Sequence, residues 1–278
     1  MKIGIITFHR AKNYGALLQC YALYSFLTNS GFEVEVIDYR NQIIEKSYRR
    51  FPKLRKNLFK YIRMMFFSLA NYKKLCCKDK KFDDLRLRMK HSDMIYDNNC
   101  ISLDCDVYIA GSDQLWNPMI TKGLDQLYFL DFVRNGIKAT YAMSMGNTNN
   151  ELFKSSEFIR MVEKLDYISM REKDAAEFMK SIKTKNQVIQ SIDPTFLLSA
   201  SEWDHILKDE SIELPEKYIF VYYVKEDDEL IKMADKLAQE KGLPIVYINV
   251  YQKEKISSLA NTLLIEEFNS TSISESIP

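Results

Sequence analysis

Apolar residues in this chain gather in short runs, and most of the runs end in polar residues or glycine. Ile3–Phe8 is one such run, followed by the polar loop His9–Gly15. From Ala16 to Leu27 the period changes: Leu17, Cys20, Tyr21, Tyr24 and Leu27 recur at helical spacing. Gly31 is placed to end that helix, and Glu33–Tyr39 supplies a second strand-like run. Strand, helix and strand in this order demand a parallel sheet with a right-handed crossover. Further strands are predicted at Val107–Ala110, Lys138–Met143, Tyr167–Met170 and Gln187–Gln190, with a short one at Leu127–Phe132. Helices are predicted over Glu151–Leu165, Glu172–Lys180 and Ser201–Lys208. After Pro215 a second series begins: strand Tyr218–Val224, helix Asp228–Lys241, strand Pro244–Val250. The pattern then fades, and the Ser/Thr-rich Asn269–Pro278 is expected to be frayed or disordered. The expected fold is therefore α/β, with a Rossmann-like parallel-sheet domain at 1–210 and an incomplete second α/β domain at 211–278.

The strongest chemical signal lies where the Val107–Ala110 run meets Gly111-Ser112-Asp113-Gln114, followed by Leu115-Trp116-Asn117-Pro118. A buried parallel strand that stops in a polar turn has the form of a ligand-binding strand end, because open α/β sheets bind ligands outside the carboxyl ends of their strands. The competing reading is a plain turn with an N-capping Ser or Asp. Trp116 and Asn117 favour the ligand, since a stacking ring and an amide suit a sugar or a small acid. Asp113 is the candidate for binding or deprotonating a sugar hydroxyl, and its competing role is a helix cap. In the first loop, Asn13 and Gly15 are placed to offer backbone N–H groups at a helix N-terminus to an anion. An ordinary strand-to-helix loop explains them equally well. The loop has no Gly-x-Gly-x-x-Gly, so a nicotinamide or flavin cofactor is not expected. Arg171 stands at a strand end directly before a helix, where its guanidinium fits a phosphate or carboxylate. The alternative is a surface pair with Glu172 or Asp174.

Composition changes the picture in one place. The 278 residues carry 39 Lys and Arg against 38 Asp and Glu, which implies no nucleic-acid partner. Yet Asn41–Lys90 holds a strong excess of Lys and Arg over Asp and Glu, so the basic charge is one block. Within it Leu58, Tyr61, Ile62, Met65, Phe66 and Leu69 form an apolar stripe at helical spacing. This basic helical insertion, at about 41–92, either packs its stripe against the sheet or lies on an anionic membrane surface. Five cysteines without Cys-x-x-Cys, and three scattered histidines, give no zinc pattern. No metal is expected. The apolar start is too short for a signal peptide, and no run is long enough to span a membrane.

Several islands, taken together and in order, resemble the polysaccharide pyruvyl transferase family. They are Asn13-Tyr-Gly-Ala-Leu-Leu-Gln19, Gly111-Ser-Asp-Gln-Leu-Trp-Asn117, Tyr141-Ala-Met-Ser-Met-Gly146, Ser169-Met-Arg-Glu172 and Asp193-Pro194. The resemblance implies a bacterial, cytoplasmic enzyme of capsule or exopolysaccharide assembly, with a GT-B-like two-domain fold. It implies phosphoenolpyruvate as donor substrate, no other cofactor, and a nucleotide- or lipid-linked saccharide as acceptor. It gives the turn residues Gly111, Ser112, Asp113, Gln114, Trp116 and Asn117 a substrate role, and Ser144 with them. It gives Arg171 a phosphoenolpyruvate contact, and turns His9, Asn13 and Gly15 toward the cleft. The family's later His-Gly island has no counterpart here. The resemblance thus points to a truncated C-terminal domain, with a catalytically inactive member that binds only sugar or anion as the alternative.

Overall fold

The computed structural model describes residues 1–48, 58–96, 103–182, 186–207, 214–223, 227–249 and 262–266. The expected frayed tail at 269–278 lies outside them. Contacts divide the chain into two units, Met1–Pro52 with Phe82–Ser199, and Lys53–Lys81 with Ala200–Pro278.

The first unit is a parallel sheet. Strands β1 (Lys2–Ile6), β2 (Glu33–Val36), β3 (Val107–Gly111) and β4 (Ile137–Tyr141) lie in the order β2-β1-β3-β4. Single bridges, Ala139 to Tyr167 and Met143 to Met170, continue it to the parallel pair β5 (Ile168–Met170) and β6 (Val188–Gln190). Register follows the side-chain alternation of extended chain. Ile5 lies opposite Ile109, and Ile6 opposite Ala110. Ile5, Leu23 and Val34 form one buried cluster with Ile109 packed on it, beneath helix α1 (Tyr14–Asn29). Ile6, Tyr108 and Ala110 belong to the larger cluster on the other face. Helix α1 starts because the Asn13 side chain accepts the Ala16 N–H, and it stops at Ser30, before Gly31 at φ 88°.

Two expected elements take another form. Leu127–Phe132 is not a strand: Gln126–Phe129 is a 3₁₀ turn, begun by the Asp125 side chain accepting the Leu127 N–H. Leu127, Tyr128, Phe129 and Leu130 are all buried, so the run has no solvent face to alternate with. The helix expected over Glu151–Leu165 is broken at Ser155, whose extended backbone separates the 3₁₀ turn Glu151–Lys154 from helix α6 (Ser156–Val162). Ser155 Oγ accepts the Phe158 N–H and caps the second piece. The labels α2 to α5 mark Gln42–Ser47, Leu58–Ala70, Tyr72–Leu87 and Pro118–Thr121; α7 is Lys173–Ser181 and α8 is Ala200–Leu207.

The second unit contains a parallel sheet of β7 (Ile219–Tyr223), β8 (Ile245–Asn249) and β9 (Thr262–Glu266). The strand β9 lies beyond the point where the sequence pattern fades. Ala234 of helix α9 (Asp228–Lys241) packs with Val221 and Ile245. Helix α3 exposes Leu58, Phe59, Ile62, Phe66 and Leu69. Among the described residues no helix is long and apolar enough to cross a membrane.

Candidate functional site

The chain leaves β1 toward β2 on one side and leaves β3 toward β4 on the other. The carboxyl ends of β1 and β3 therefore form a topological switch point, where parallel sheets open a crevice. A cavity of about 570 Å³ lies there, a size that suits a small ligand. Its polar wall comprises Asn13 from the loop after β1, Asp113 and Gln114 from the turn after β3, Lys46 and Tyr48 at the end of α2, and Lys122 after α5. Phe8, Ile43, Ile44, Met119 and Ile120 supply apolar surface.

The turn after β3 is fixed by its neighbours. A Cβ on Gly111, at φ 137°, would stand 2.2 Å from the Tyr141 carbonyl oxygen, so only glycine fits between β3 and β4. The following peptide, Gly111–Ser112, is cis. Ser112 is fully buried: its N–H donates to Gln19 Oε1 at 2.8 Å and its hydroxyl to the Ala142 carbonyl. Gln19 in turn donates to Thr7 Oγ1 and ties the ends of β1 and β3 together. Ser144 is also fully buried, and its N–H holds the Asp113 carbonyl. Neither serine lines the cavity; both anchor the turn from inside the protein.

Trp116 also turns into the protein. It is 1% exposed, stacks on Phe129 at 4.7 Å and 4°, and donates its indole N–H to the Tyr128 carbonyl. Phe158 meets it edge-on. With its ring packed by protein and its one donor used, it offers no sugar-stacking surface. His9 turns inward likewise. It is buried, with Nε2 3.1 Å from Asp38 Oδ1 and Nδ1 3.1 Å from the Thr7 carbonyl. Burial pulls its pKa down while the bond to Asp38 resists. Asp38 also accepts from Arg10 and Arg40. Burial alone would push the Asp38 carboxyl up, but the bonds from His9 and Arg10 win and hold it well below the usual carboxylate range.

Asn117 caps α5 through the Met119 N–H and donates its amide to Gln114 Oε1 at 2.6 Å. Gly146, at φ 72°, makes room for that pair: a Cβ there would meet Asn117 Nδ2 at 2.4 Å. Asn13, besides lining the cavity, spends its carbonyl on the α1 cap. Gly15 is exposed in the first turn of α1 and is not part of the cavity wall.

Asp113 is not a helix cap, because Asn117 holds that place. It sits at φ 50°, and its side chain accepts the Gln114 N–H at 2.7 Å. Burial pushes its carboxyl up, against the pull of the Gln114 bond and the Arg171 charge. Arg171 is thus near enough to be felt, yet it does not line the cavity. It donates from Nε to Glu172 and from Nη1 to Asp193, each at 3.0 Å. The alternative of a pair with Glu172 holds, and Asp193 is added to it. Lys46, Tyr48 and Lys122 carry no motif in the sequence; the chain brings them to the cavity only by folding α2 and α5 toward β3.

A wall with one carboxylate pushed up by burial, two lysines, a tyrosine hydroxyl and amide groups can bind an anion and exchange a proton with a hydroxyl. In structure the chain is similar to a UDP-GlcNAc 2-epimerase from Neisseria meningitidis bound to UDP-GlcNAc, at 11% identity and a TM-score of 0.46, over 96% of this chain and 72% of that one. It is similar also to the E. coli heptosyltransferase WaaC with ADP-2-deoxy-2-fluoro heptose, at 12% identity and a TM-score of 0.40, over 95% and 76%. No curated protein matches it. The family model for polysaccharide pyruvyl transferase matches residues 13–275, nearly the whole chain. The chain belongs to the polysaccharide pyruvyl transferase family.

Proposed function

We propose that this chain moves the pyruvyl group of phosphoenolpyruvate onto two hydroxyls of a saccharide as a ketal, in capsule or exopolysaccharide assembly in the bacterial cytoplasm. The observation that carries the reading is the cavity at the switch point, where Asp113 shares a wall with Lys46 and Lys122. The lysines suit the carboxylate and phosphate of the donor. A sugar hydroxyl beside Asp113 gives up its proton as its oxygen bonds to C2 of the enol, and C3 gains a proton. Phosphate then leaves with the C2–O electron pair, and a second hydroxyl closes the ring and loses its own proton. A carboxyl whose pKa is pushed up by burial holds a proton more readily and is suited to exchange it with a hydroxyl. Arg171 acts on it through charge. Tyr48 faces the same carboxylate, which together with burial raises the tyrosine's pKa and keeps its hydroxyl protonated.

The acceptor is a nucleotide- or lipid-linked saccharide. A lipid carrier would place the enzyme at the membrane surface, and the exposed apolar residues of α3 among Lys and Arg fit that setting. Sedimentation with vesicles checks this part: binding to anionic but not neutral vesicles is expected, and equal or absent binding removes it. The reaction is tested by phosphate release from phosphoenolpyruvate with saccharide acceptors. Release that depends on acceptor, and falls about 10²–10⁴-fold in Asp113→Asn, is the expected result. Unchanged turnover in that variant would remove Asp113 from the chemistry.

A further inference from the structure

Beside the candidate site lies a second cavity of about 580 Å³ in the same unit. Ile43 and Lys122 line both cavities, so the two are neighbours across a shared wall. The second has a constructed floor. Asp125 Oδ2 accepts from the Tyr39 hydroxyl at 2.9 Å and the Asn41 amide at 2.7 Å, while Oδ1 accepts the Leu127 N–H. Asn41 Oδ1 in turn accepts the N–H groups of Ile43 and Ile44 at the start of α2. These bonds join the end of β2 to the loop after α5 and hold the floor rigid. Above it, Tyr96, Gln126 and Lys122 are exposed.

The groups on offer are an aromatic ring, a side-chain amide, one ammonium and a half-buried carboxylate with lone pairs to spare. An anion would meet Asp125 with only one lysine against it. A neutral sugar fits better: its hydroxyls pair with amide and carboxylate, and its C–H face lies on an aromatic ring. We propose that this cavity is a second saccharide subsite, holding the sugar next to the one that receives the pyruvyl group. The acceptor is then read as an oligosaccharide. The inference rests on the pyruvyl transfer reading for the order of the two sugars, but binding at the subsite can be measured without transfer.

The test is calorimetry on the full chain. The probes are methyl glycosides of glucose, galactose and mannose, and disaccharides that carry each of these at the non-reducing end. At least one disaccharide should bind about tenfold or more tighter than its methyl glycoside. That gain should vanish in the doubly substituted Tyr96→Ala, Gln126→Ala chain, while methyl glycoside binding and thermal melting stay as they were; both side chains are exposed, so folding is spared. Equal binding of single and paired sugars, a gain that survives the double substitution, or no binding by any probe overturns the subsite. Absence of phosphate release with every acceptor, alongside a disaccharide gain that the substitutions abolish, instead overturns the transfer reading and leaves the subsite standing.

Discussion

Two loops meet at the switch point, and they treat their polar residues in opposite ways. The loop after β1 turns His9 and Arg10 onto Asp38, so its most reactive-looking groups are consumed inside the protein. The turn after β3 buries Ser112 and Trp116 but leaves Asp113 on the cavity wall. Both are strand ends crowded with polar residues, and each leads into an island that resembles the family, although His9 and Arg10 precede theirs. The difference lies in what each side chain already holds. A side chain whose bonds are filled by protein away from the cavity is scaffolding, whereas one that keeps an open lone pair on the cavity wall can still work on a ligand.

That contrast can be broken first at Asp113. Asp113→Asn should abolish nearly all phosphate release while leaving urea unfolding close to the parent chain; a large loss of stability instead would make Asp113 one more scaffold residue. Next come the residues assigned to scaffolding. Trp116→Ala should destabilise the fold by about 3–5 kcal/mol, since it empties a packed aromatic site. Asp38→Ala should cost a similar amount, about 3–5 kcal/mol, because it leaves the buried His9 and the part-buried Arg10 without their anion and Arg40 with Glu45 alone. Both are read by urea unfolding, and a change below about 1 kcal/mol in either would erase the distinction between the loops. Acid supplies a subtler version. Asp38 has a depressed pKa in the folded chain, so its stabilisation is present above the unfolded value of about 3.9 and drains away as pH falls below it. Asp38→Asn should flatten that acid loss. The smallest expected effect is on the rate profile: the acid limb of kcat/KM should lie above the ordinary carboxylate range, because Asp113 is shifted up by burial.

Much of this was legible in the order of residues. Ile3–Phe8 and Val107–Ala110 announce buried parallel strands, and the Gly-Ser-Asp-Gln turn marks the strand end that lines the cavity. Strand limits are less legible, since β1 stops at Ile6 although Thr7 and Phe8 are also buried. Burial sets the apolar run, whereas pairing sets the strand. Trp116 and Asp113 stand three residues apart, and nothing local says which one faces inward. The stack of Phe129 and Phe158 on Trp116 is a long-range fact. For the same reason Lys46, Tyr48 and Lys122 stay hidden: each reaches the cavity through tertiary packing rather than through a motif.

Gly146 shows how far one missing side chain can reach. The space it leaves is filled by the Asn117 amide, which grips Gln114 and starts the four-residue helix that ends beside Lys122. Any methyl group at 146 would have to push that amide aside. The helix start, the lysine after it and the partition between the two cavities would then shift as one piece, so the shape of both cavities is governed from a position that lines neither.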